Sequence, residues 1–345
     1  MDLLVEVFAM LDASVIEPVT RKFLGIFDLN GRFGVAFLAI SYLVAFGLYL
    51  RRKHDGTSNA GSYWQFLGGN RVHFHRSALV DYQYYFLRAV LKVVCVLPVV
   101  AIVDPYVFSS GDWVGFFTNL WGERPRLGED MGLMLLYGLG VFLVGDFAHY
   151  WVHRLFHSRW LWEFHKVHHS AAVLVPPTAS RIHFVEKIVE RLADAVLIGL
   201  YAGIFYYLCG GEVSRYKLFG VTYMVFIFNT FAANLRHSHI WLSFGPRIEH
   251  IINSPAQHQI HHSDAPKHFN KNFGTNLSIW DWMFGTLYVT SYKPEPINFG
   301  VGDAENRKYQ SLYSLVFTPF LVTGRKLWLA LNPAARKAGQ TALHD

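Results

Sequence analysis

Charged residues are scarce in this sequence, and cysteine is nearly absent. Only 16% of the 345 residues are Asp, Glu, Lys or Arg, against about 25% in ordinary soluble domains. The two cysteines, Cys95 and Cys209, both lie inside apolar runs, which excludes a disulfide framework and a thiolate zinc cluster. With 52% hydrophobic residues and a mean hydropathy of +0.22, a disordered or purely soluble chain is excluded as well.

Several binding and catalytic motifs are also missing. Despite a formal net charge of +6, no run of five or more Lys or Arg occurs, so nucleic acid is not an expected partner. The sequence contains neither Glu-x-x-His, as in soluble carboxylate di-iron bundles, nor His-Glu-x-x-His, as in zinc proteases. No Gly-x-Gly-x-x-Gly follows a predicted strand, so no bound flavin is expected. No haem-binding module is found either, so no bound haem is expected.

Apolar runs long enough to cross a bilayer are frequent. An apolar helix of about 20 residues spans the hydrocarbon core. The sequence therefore predicts an all-α, polytopic helical membrane protein with about four to five transmembrane helices. The predicted spans lie near residues 33–50, 84–103, 131–148, 195–209 and 217–233.

The distribution of Lys and Arg predicts the orientation of these spans. Residues 51–83 hold five Lys or Arg, 104–130 hold two, and the segment after 234 holds eleven. Loops rich in Lys and Arg stay on the cytoplasmic side. We therefore expect an integral, multi-pass protein whose histidine-rich segments form a helical cap on the cytoplasmic face, with the C-terminus on the same side.

The predicted organisation has three parts. Residues 1–130 form an N-terminal membrane region, residues 131–290 form the histidine-bearing catalytic domain, and residues 291–345 form a cytoplasmic C-terminal tail. No internal repeat, low-complexity tract or linker separates them.

Histidine is unusually concentrated in one part of the chain. The sequence has 18 histidines, and 14 of them lie between His149 and His268. Four boxes recur: His149-x-x-x-His153-x-x-x-His157, then His165-x-x-His168-His169, then His237-x-His239, then His258-x-x-His261-His262. Residues three or four apart share one face of a helix, so these boxes predict convergent imidazoles.

Convergent imidazoles indicate a metal site. Neutral imidazole is the commonest transition-metal ligand, and the roughly eight to ten imidazoles here are more than one ion needs, so they divide over two metals. The candidate ligands are His153, His157, His165, His168, His169, His237, His258, His261 and His262, with His149 and His239 as further candidates. The carboxylates of Asp146 and Glu163 lie within the boxes and are predicted to orient histidines. No catalytic residue is predicted beyond the metal ligands.

The boxes and their flanking residues resemble the fatty acid hydroxylase/sterol desaturase superfamily. The similarity is carried by Asp146–His157, Phe164–Ser170, Ser254–Ser263, Asn270–Gly274 and Trp280–Thr286, and it covers roughly residues 140–290. The resemblance implies two iron ions held by imidazoles and the use of O2 on an unactivated C–H bond of a lipid. It assigns the ligand role to the nine candidates above, with His237 in the looser third box. His149 and His239 exceed the minimal pattern.

The expected function follows from this resemblance. We expect a monooxygenase that hydroxylates or desaturates a lipid such as a sterol, a fatty acyl chain or an ether lipid. Its electrons would come from an external ferredoxin, cytochrome or reductase. The alternatives are a histidine-rich membrane metal transporter and a zinc-dependent membrane hydrolase. Transport histidines would lie mid-span and a hydrolase would need fewer ligands. Clustering of many histidines at span ends therefore favours the oxygenase.

Overall fold

The computed structural model describes residues 35–218, 221–230 and 233–332, and within these residues the chain is almost entirely helical. Two strands of two residues each are the exception. The predicted all-α class is confirmed. The elements are, in chain order, α1 Val35–His54, α2 Tyr63–Phe66, α3 Gly69–His73, α4 Arg76–Leu91, α5 Leu97–Val103, α6 Ser110–Trp121, α7 Met131–Phe156, α8 Trp162–His169, α9 Phe184–Cys209, β1 Lys217–Leu218, β2 Val221–Thr222, α10 Tyr223–Thr230, α11 Pro255–His261, α12 Ile279–Met283, α13 Asp303–Lys308 and α14 Leu312–Leu331.

Three helical stretches of the described residues are long and apolar enough to cross a membrane: Arg76–Trp121, Met131–Phe156 and Phe184–Cys209. The first is a composite of α4, a π-helical segment at Lys92–Val96, α5 and α6. The three stretches contain the spans predicted near 84–103, 131–148 and 195–209. The total number of spans remains a prediction.

The chain near residues 217–233 differs from the continuous span expected there. The backbone of β1 pairs antiparallel with β2, and α10 covers only eight residues, which is too short to cross a bilayer. The β-branched residues of β2 favour extended backbone over helix. Helix α1 covers most of the first predicted span, whose residues 33 and 34 lie outside the described part of the chain.

Small residues bring the long helices together. Helix α9 packs against both α7 and α6. A Cβ at Gly140 of α7 would overlap the side chain of Tyr201, and a Cβ at Gly203 would overlap the side chain of Trp113 on α6. Glycine therefore allows the close backbone approach that is common between membrane helices.

Helix α8, which carries the second histidine box, is held from two sides by apolar contacts. Val167 is completely buried in a cluster with Val80 and Tyr84 of α4 and with Leu315 and Val316 of α14. The apolar segment near the C-terminal end of the chain therefore packs against the helix that bears three candidate ligands.

A buried arginine adds polar contacts to the same region. The guanidinium of Arg181 is fully buried and pairs with the Asp81 carboxylate at 2.9 Å. Its remaining donors reach Ser77 Oγ, Val167 O, Ser170 Oγ and Tyr309 O at 2.7–3.2 Å. Because buried charges require partners, this network joins α4, α8 and the residue that follows α13 into one unit.

Candidate metal centre

Three helices deliver most of the histidines to one region. The last two turns of α7 carry His153, and His157 caps its C-terminus. Helix α8 carries His165, His168 and His169. The position of α11 is defined by its N-terminus: Ser254 and Gln257 form a reciprocal capping box, with Pro255 at the first helical position. This start places His258, His261 and His262 within the first two turns.

The histidines separate into two groups, each with its ring nitrogens within 4.8 Å of one another. The five-histidine cluster consists of His153, His157, His165, His169 and His261. The four-histidine cluster consists of His168, His237, His258 and His262, all of them buried. The structure thus brings together all nine candidate ligands. The rings of His169 and His262, one from each cluster, are 4.7 Å apart, so the two clusters are direct neighbours.

Distances between Nε2 atoms match ligation of a common ion. Nε2 of His153 lies 2.9 Å from Nε2 of His165. In the other cluster, Nε2 of His258 lies 3.0 Å from that of His237 and 3.2 Å from that of His262. Nitrogens about 2.1 Å from one ion lie about 3.0 Å apart at right angles and about 3.4 Å apart in a tetrahedron.

Hydrogen bonding among the rings does not account for these contacts. An imidazole Nε2 has either one proton or one lone pair to offer, yet Nε2 of His258 faces two other Nε2 atoms. In the five-histidine cluster, Nε2 of His157, His169 and His261 is buried without a hydrogen-bond partner among the described residues. A bound metal ion would accept all of these lone pairs, so the clustered histidines fit a metal site.

Burial keeps the imidazoles in the form that binds metal. It lowers the pKa of seven histidines well below the usual value, and neighbouring histidines contribute to the shift in most of them. These residues are His157, His165, His168, His169, His258, His261 and His262. They are therefore neutral at neutral pH, as coordination requires.

Backbone carbonyls of one loop orient two of the ligands. Nδ1 of His261 donates to the Lys271 carbonyl at 2.7 Å, and Nδ1 of His153 donates to the Phe273 carbonyl at 2.7 Å. These bonds place the proton on Nδ1 and leave Nε2 free for metal. Asn270 and Asn272 on either side of Lys271 have positive φ values of 59° and 56°, a conformation that asparagine tolerates better than most residues.

Asp281 holds this loop in place. Its carboxylate accepts hydrogen bonds from the backbone N–H of Phe273 at 2.8 Å and of Gly274 at 2.7 Å, and from the Thr286 hydroxyl. Burial raises the pKa of Asp281 to about 6, which is still below 7, so the carboxylate is mostly ionised at neutral pH. Asp281 thus fixes the loop whose carbonyls accept hydrogen bonds from His153 and His261.

Glu186 is a contact of the site that sequence reasoning missed. Its Oε2 lies 2.9 Å from Nδ1 of His165, and both side chains are buried. Carboxylates that accept from a ligand imidazole orient the ring and increase its basicity. A sequence signal for this contact exists. Helix α9 begins eleven residues before the span predicted at Ala195, and in this part of the helix acidic residues recur every four positions, at Glu186, Glu190 and Asp194.

Substitution of Glu186 tests this orienting role. We expect Glu186→Gln to reduce metal affinity about 10–100-fold, as other changes behind a metal ligand do, while the chain still inserts and folds. Iron titration of the apoprotein measures the change. Asp194→Asn is a matched control, because it alters a histidine–carboxylate pair on the same helix but outside both clusters. Equal iron affinity of the two variants would contradict the role assigned to Glu186.

The two further candidates lie outside the clusters. Nε2 of His149 is 3.3 Å from the Asp194 carboxylate on α9, one turn before the ligand-bearing part of α7. Nε2 of His239 is 3.0 Å from the Phe66 carbonyl, because the loop after His237 directs the ring toward α2. The side chains of His149 and His239 therefore each have a polar partner outside the two clusters.

The expectation for the two carboxylates within the boxes is wrong. Asp146 accepts hydrogen bonds from Asn276, Leu277 and Trp280, which ties α7 to the segment before α12. Glu163 pairs with Lys166 and Lys326. In the described residues neither carboxylate contacts a histidine. Glu163 lies two residues before His165 on α8, and residues two apart do not share a face of a helix.

A cavity of about 630 Å³ opens onto the five-histidine cluster. His157, His169 and His261 form one wall, and Trp162 and Phe269 contribute aromatic surface. The same three histidines carry the unpartnered Nε2 atoms. A molecule in this cavity would therefore lie next to three members of the five-histidine cluster.

Comparison with known proteins agrees with this geometry. Residues 138–286 match the family model described as fatty acid hydroxylase. An ornithine lipid hydroxylase of Rhizobium tropici is 27% identical over 221 residues, which are 64% of this chain and 59% of that protein. An alkylglycerol monooxygenase of Xenopus tropicalis is 30% identical over 147 residues, 42% of this chain and 29% of that protein. A very-long-chain aldehyde decarbonylase of Oryza sativa subsp. indica is 28% identical over 153 residues, which are 42% of this chain and 22% of that protein.

The family model thus matches the histidine-bearing part of the chain. The aligned region covers 59% or less of the length of these relatives. No solved structure matches the chain significantly.

Proposed function

We propose that the protein is a membrane-bound, non-haem di-iron oxygenase of lipids, because residues 138–286 match the fatty acid hydroxylase family model and the similar proteins include a lipid hydroxylase and a monooxygenase. The observation that carries the proposal is the division of nine histidines into two adjacent clusters of five and four. Nine imidazoles exceed the number of ligands that one ion binds, whereas two ions can share them. A zinc hydrolase site, with about three ligands, does not require this arrangement.

The proposed ligands are the members of the two clusters. His153, His157, His165, His169 and His261 would hold one iron, and His168, His237, His258 and His262 would hold the other. Iron supplies the activation of O2 and the attack on an unreactive C–H bond, chemistry that side chains alone do not provide.

The chain contributes position and exclusion of water. Lys271 O, Phe273 O and Glu186 keep the Nε2 atoms of three ligands directed inward. Burial of the four-histidine cluster keeps bulk water from one side of the centre, while the cavity beside His157 and His169 admits the substrate on the other. A dry, preorganised site protects reactive oxygen chemistry from side reactions.

The proposed substrate is a membrane lipid. The relatives include an ornithine lipid hydroxylase and an alkylglycerol monooxygenase, and three stretches of the described residues are suited to cross a membrane. An apolar substrate would reach the site from the bilayer, with a sterol, an acyl chain or an ether lipid as the classes to test. The electrons would come from an external ferredoxin, cytochrome or reductase, and the site would face the cytoplasm.

Metal content and oxygen incorporation test the proposal together. We expect close to two irons per chain in the detergent-purified protein. With a reductant, a lipid extract and isotopically labelled O2, we expect a lipid product heavier by one labelled oxygen atom. Unsaturated products without label would indicate desaturation instead. Failure to retain iron after reconstitution, or zinc binding with hydrolysis and no O2 consumption, would refute the oxygenase.

A further inference from the structure

A second cavity, of about 90 Å³, is lined by none of the clustered histidines and lies between the α4–α5 stretch and the beginning of α9. This volume is several times the roughly 10–15 Å³ that one water molecule requires. Its apolar lining includes Leu91, Val96, Leu97 and Val100. The π-helical segment Lys92–Val96 forms part of the wall, and π-helical turns are frequent at functional sites.

Four cationic side chains line this cavity. Arg88 and Lys92 are one helical turn apart on one wall, and Lys187 and Arg191 are one turn apart on the other. Cations inside apolar membrane segments are costly and are retained where they bind something. Basic residues near span ends help to set the orientation of a membrane protein, but orientation does not require two pairs of cations to line the same cavity.

Part of this positive charge has no ion-pair partner in the part of the chain that the structure describes. Lys187 forms an ion pair with Glu190, and Arg88 lies within electrostatic range of the same carboxylate. Within the described residues, Arg88, Lys92 and Arg191 form no ion pair. Of the other carboxylates on this face of α9, Asp194 pairs with His149. Glu186 pairs with His165 and also lies within electrostatic range of Arg88 and Lys187. The cavity thus carries a net positive charge.

The beginning of α9 adds to this charge. Ile182 and Phe184, at the N-terminus of this 26-residue helix, also line the cavity. The N-terminus of a helix favours anions through its dipole. Basic pockets between membrane helices bind anionic lipid headgroups, and the apolar wall formed by Val96, Leu97 and Val100 offers a path for an acyl chain.

We propose that this cavity binds the phosphate headgroup of an anionic membrane lipid, held by Arg88, Lys92, Lys187 and Arg191. The phosphate lies among the four cations, and the first part of the acyl chain follows the apolar wall of α5. The site does not depend on the metal centre, so it can be tested in protein without iron.

Native mass spectrometry of the full chain in detergent tests the site. We expect retention of phosphatidylglycerol but not of phosphatidylcholine. Affinity is expected to fall about fivefold for each cation removed, or about twenty-five-fold in Arg88→Gln/Arg191→Gln. Lys92→Gln and Arg191→Gln change exposed side chains and provide folded variants if Arg88→Gln disrupts packing. Arg307→Gln, which removes an exposed charge far along the chain, is the control and should bind like the wild type.

The outcomes separate the two sources of phosphate. Inorganic phosphate is expected to compete only weakly, because it lacks the acyl chain. Equal competition by inorganic phosphate would overturn the lipid assignment and indicate a site for a free anion. Undiminished phosphatidylglycerol retention by Lys92→Gln and Arg191→Gln, or equal retention of phosphatidylcholine, would overturn the proposal.

Discussion

Alanine at His261 or at His168 is expected to abolish lipid oxidation and to lower the iron content of the protein. His261 belongs to the five-histidine cluster and His168 to the four-histidine cluster, so each variant removes a proposed ligand of a different ion. The loss of metal affinity should exceed the roughly 10–100-fold that changes behind a ligand cause. Iron per chain, measured by elemental mass spectrometry with protein quantified in parallel, should fall from about two to about one or less.

The matched control for these variants is another histidine of the same region. His250 lies outside both clusters, and its Nδ1 contacts the Pro246 carbonyl. His250→Ala should retain iron and turnover. Wild-type iron content and full activity in His261→Ala or His168→Ala would refute the ligand assignment. Membrane insertion should be unchanged in all three, because the long apolar helices are not altered.

Asparagine at Asp81 is expected to destabilise the fold strongly. Asp81 is the only carboxylate among the described residues that pairs with the fully buried Arg181 guanidinium. Removing one partner of a buried pair leaves an uncompensated charge and costs about 3–5 kcal/mol. The free energy of unfolding, measured by denaturant titration in detergent, should fall by this amount. Because Arg181 also contacts Val167 O and Ser170 Oγ, iron binding at α8 should weaken with it.

An exposed ion pair provides the comparison for this effect. Asp55 lies 3.7 Å from Arg51 at the end of α1, and both side chains are largely exposed. Exposed pairs contribute about 0.2–1 kcal/mol, so Asp55→Asn should leave stability nearly unchanged. If Asp81→Asn were no more destabilising than Asp55→Asn, the buried network would not hold α8 in the way described.

Helical spacing accounts for how the ligands divide. Residues four apart differ by about 40° around a helix, whereas neighbours differ by about 100°. His165 and His169 accordingly face one cluster, and His258 and His262 face the other. The remaining histidine of each box, His168 or His261, crosses to the opposite cluster. Spacing alone allowed each His-x-x-His-His box to converge on one centre, whereas the structure shows that each of these two boxes contributes to both clusters.

Orienting contacts were the least predictable part of the site. Asp146 and Glu163 are near the ligands in sequence, yet their partners are Trp280 and Lys326. The group that orients His165 is Glu186, 21 residues further along the chain. The carbonyl acceptor of His153 is 120 residues away. Proximity in sequence is a poor guide here, because such contacts depend on which elements pack together.

The histidine spacing and the apolar runs by themselves predicted a helical membrane protein and its nine candidate ligands, because periodicity and ligand chemistry are local properties of a chain. The boxes with their flanking residues carried the resemblance to a superfamily. The division of those ligands into two clusters, the exclusion of His149 and His239, and the break near residue 217 were decided only by tertiary structure. Each depends on the direction in which a side chain or strand meets a distant element. That direction follows from packing between helices such as α7, α8 and α11, which no local spacing encodes.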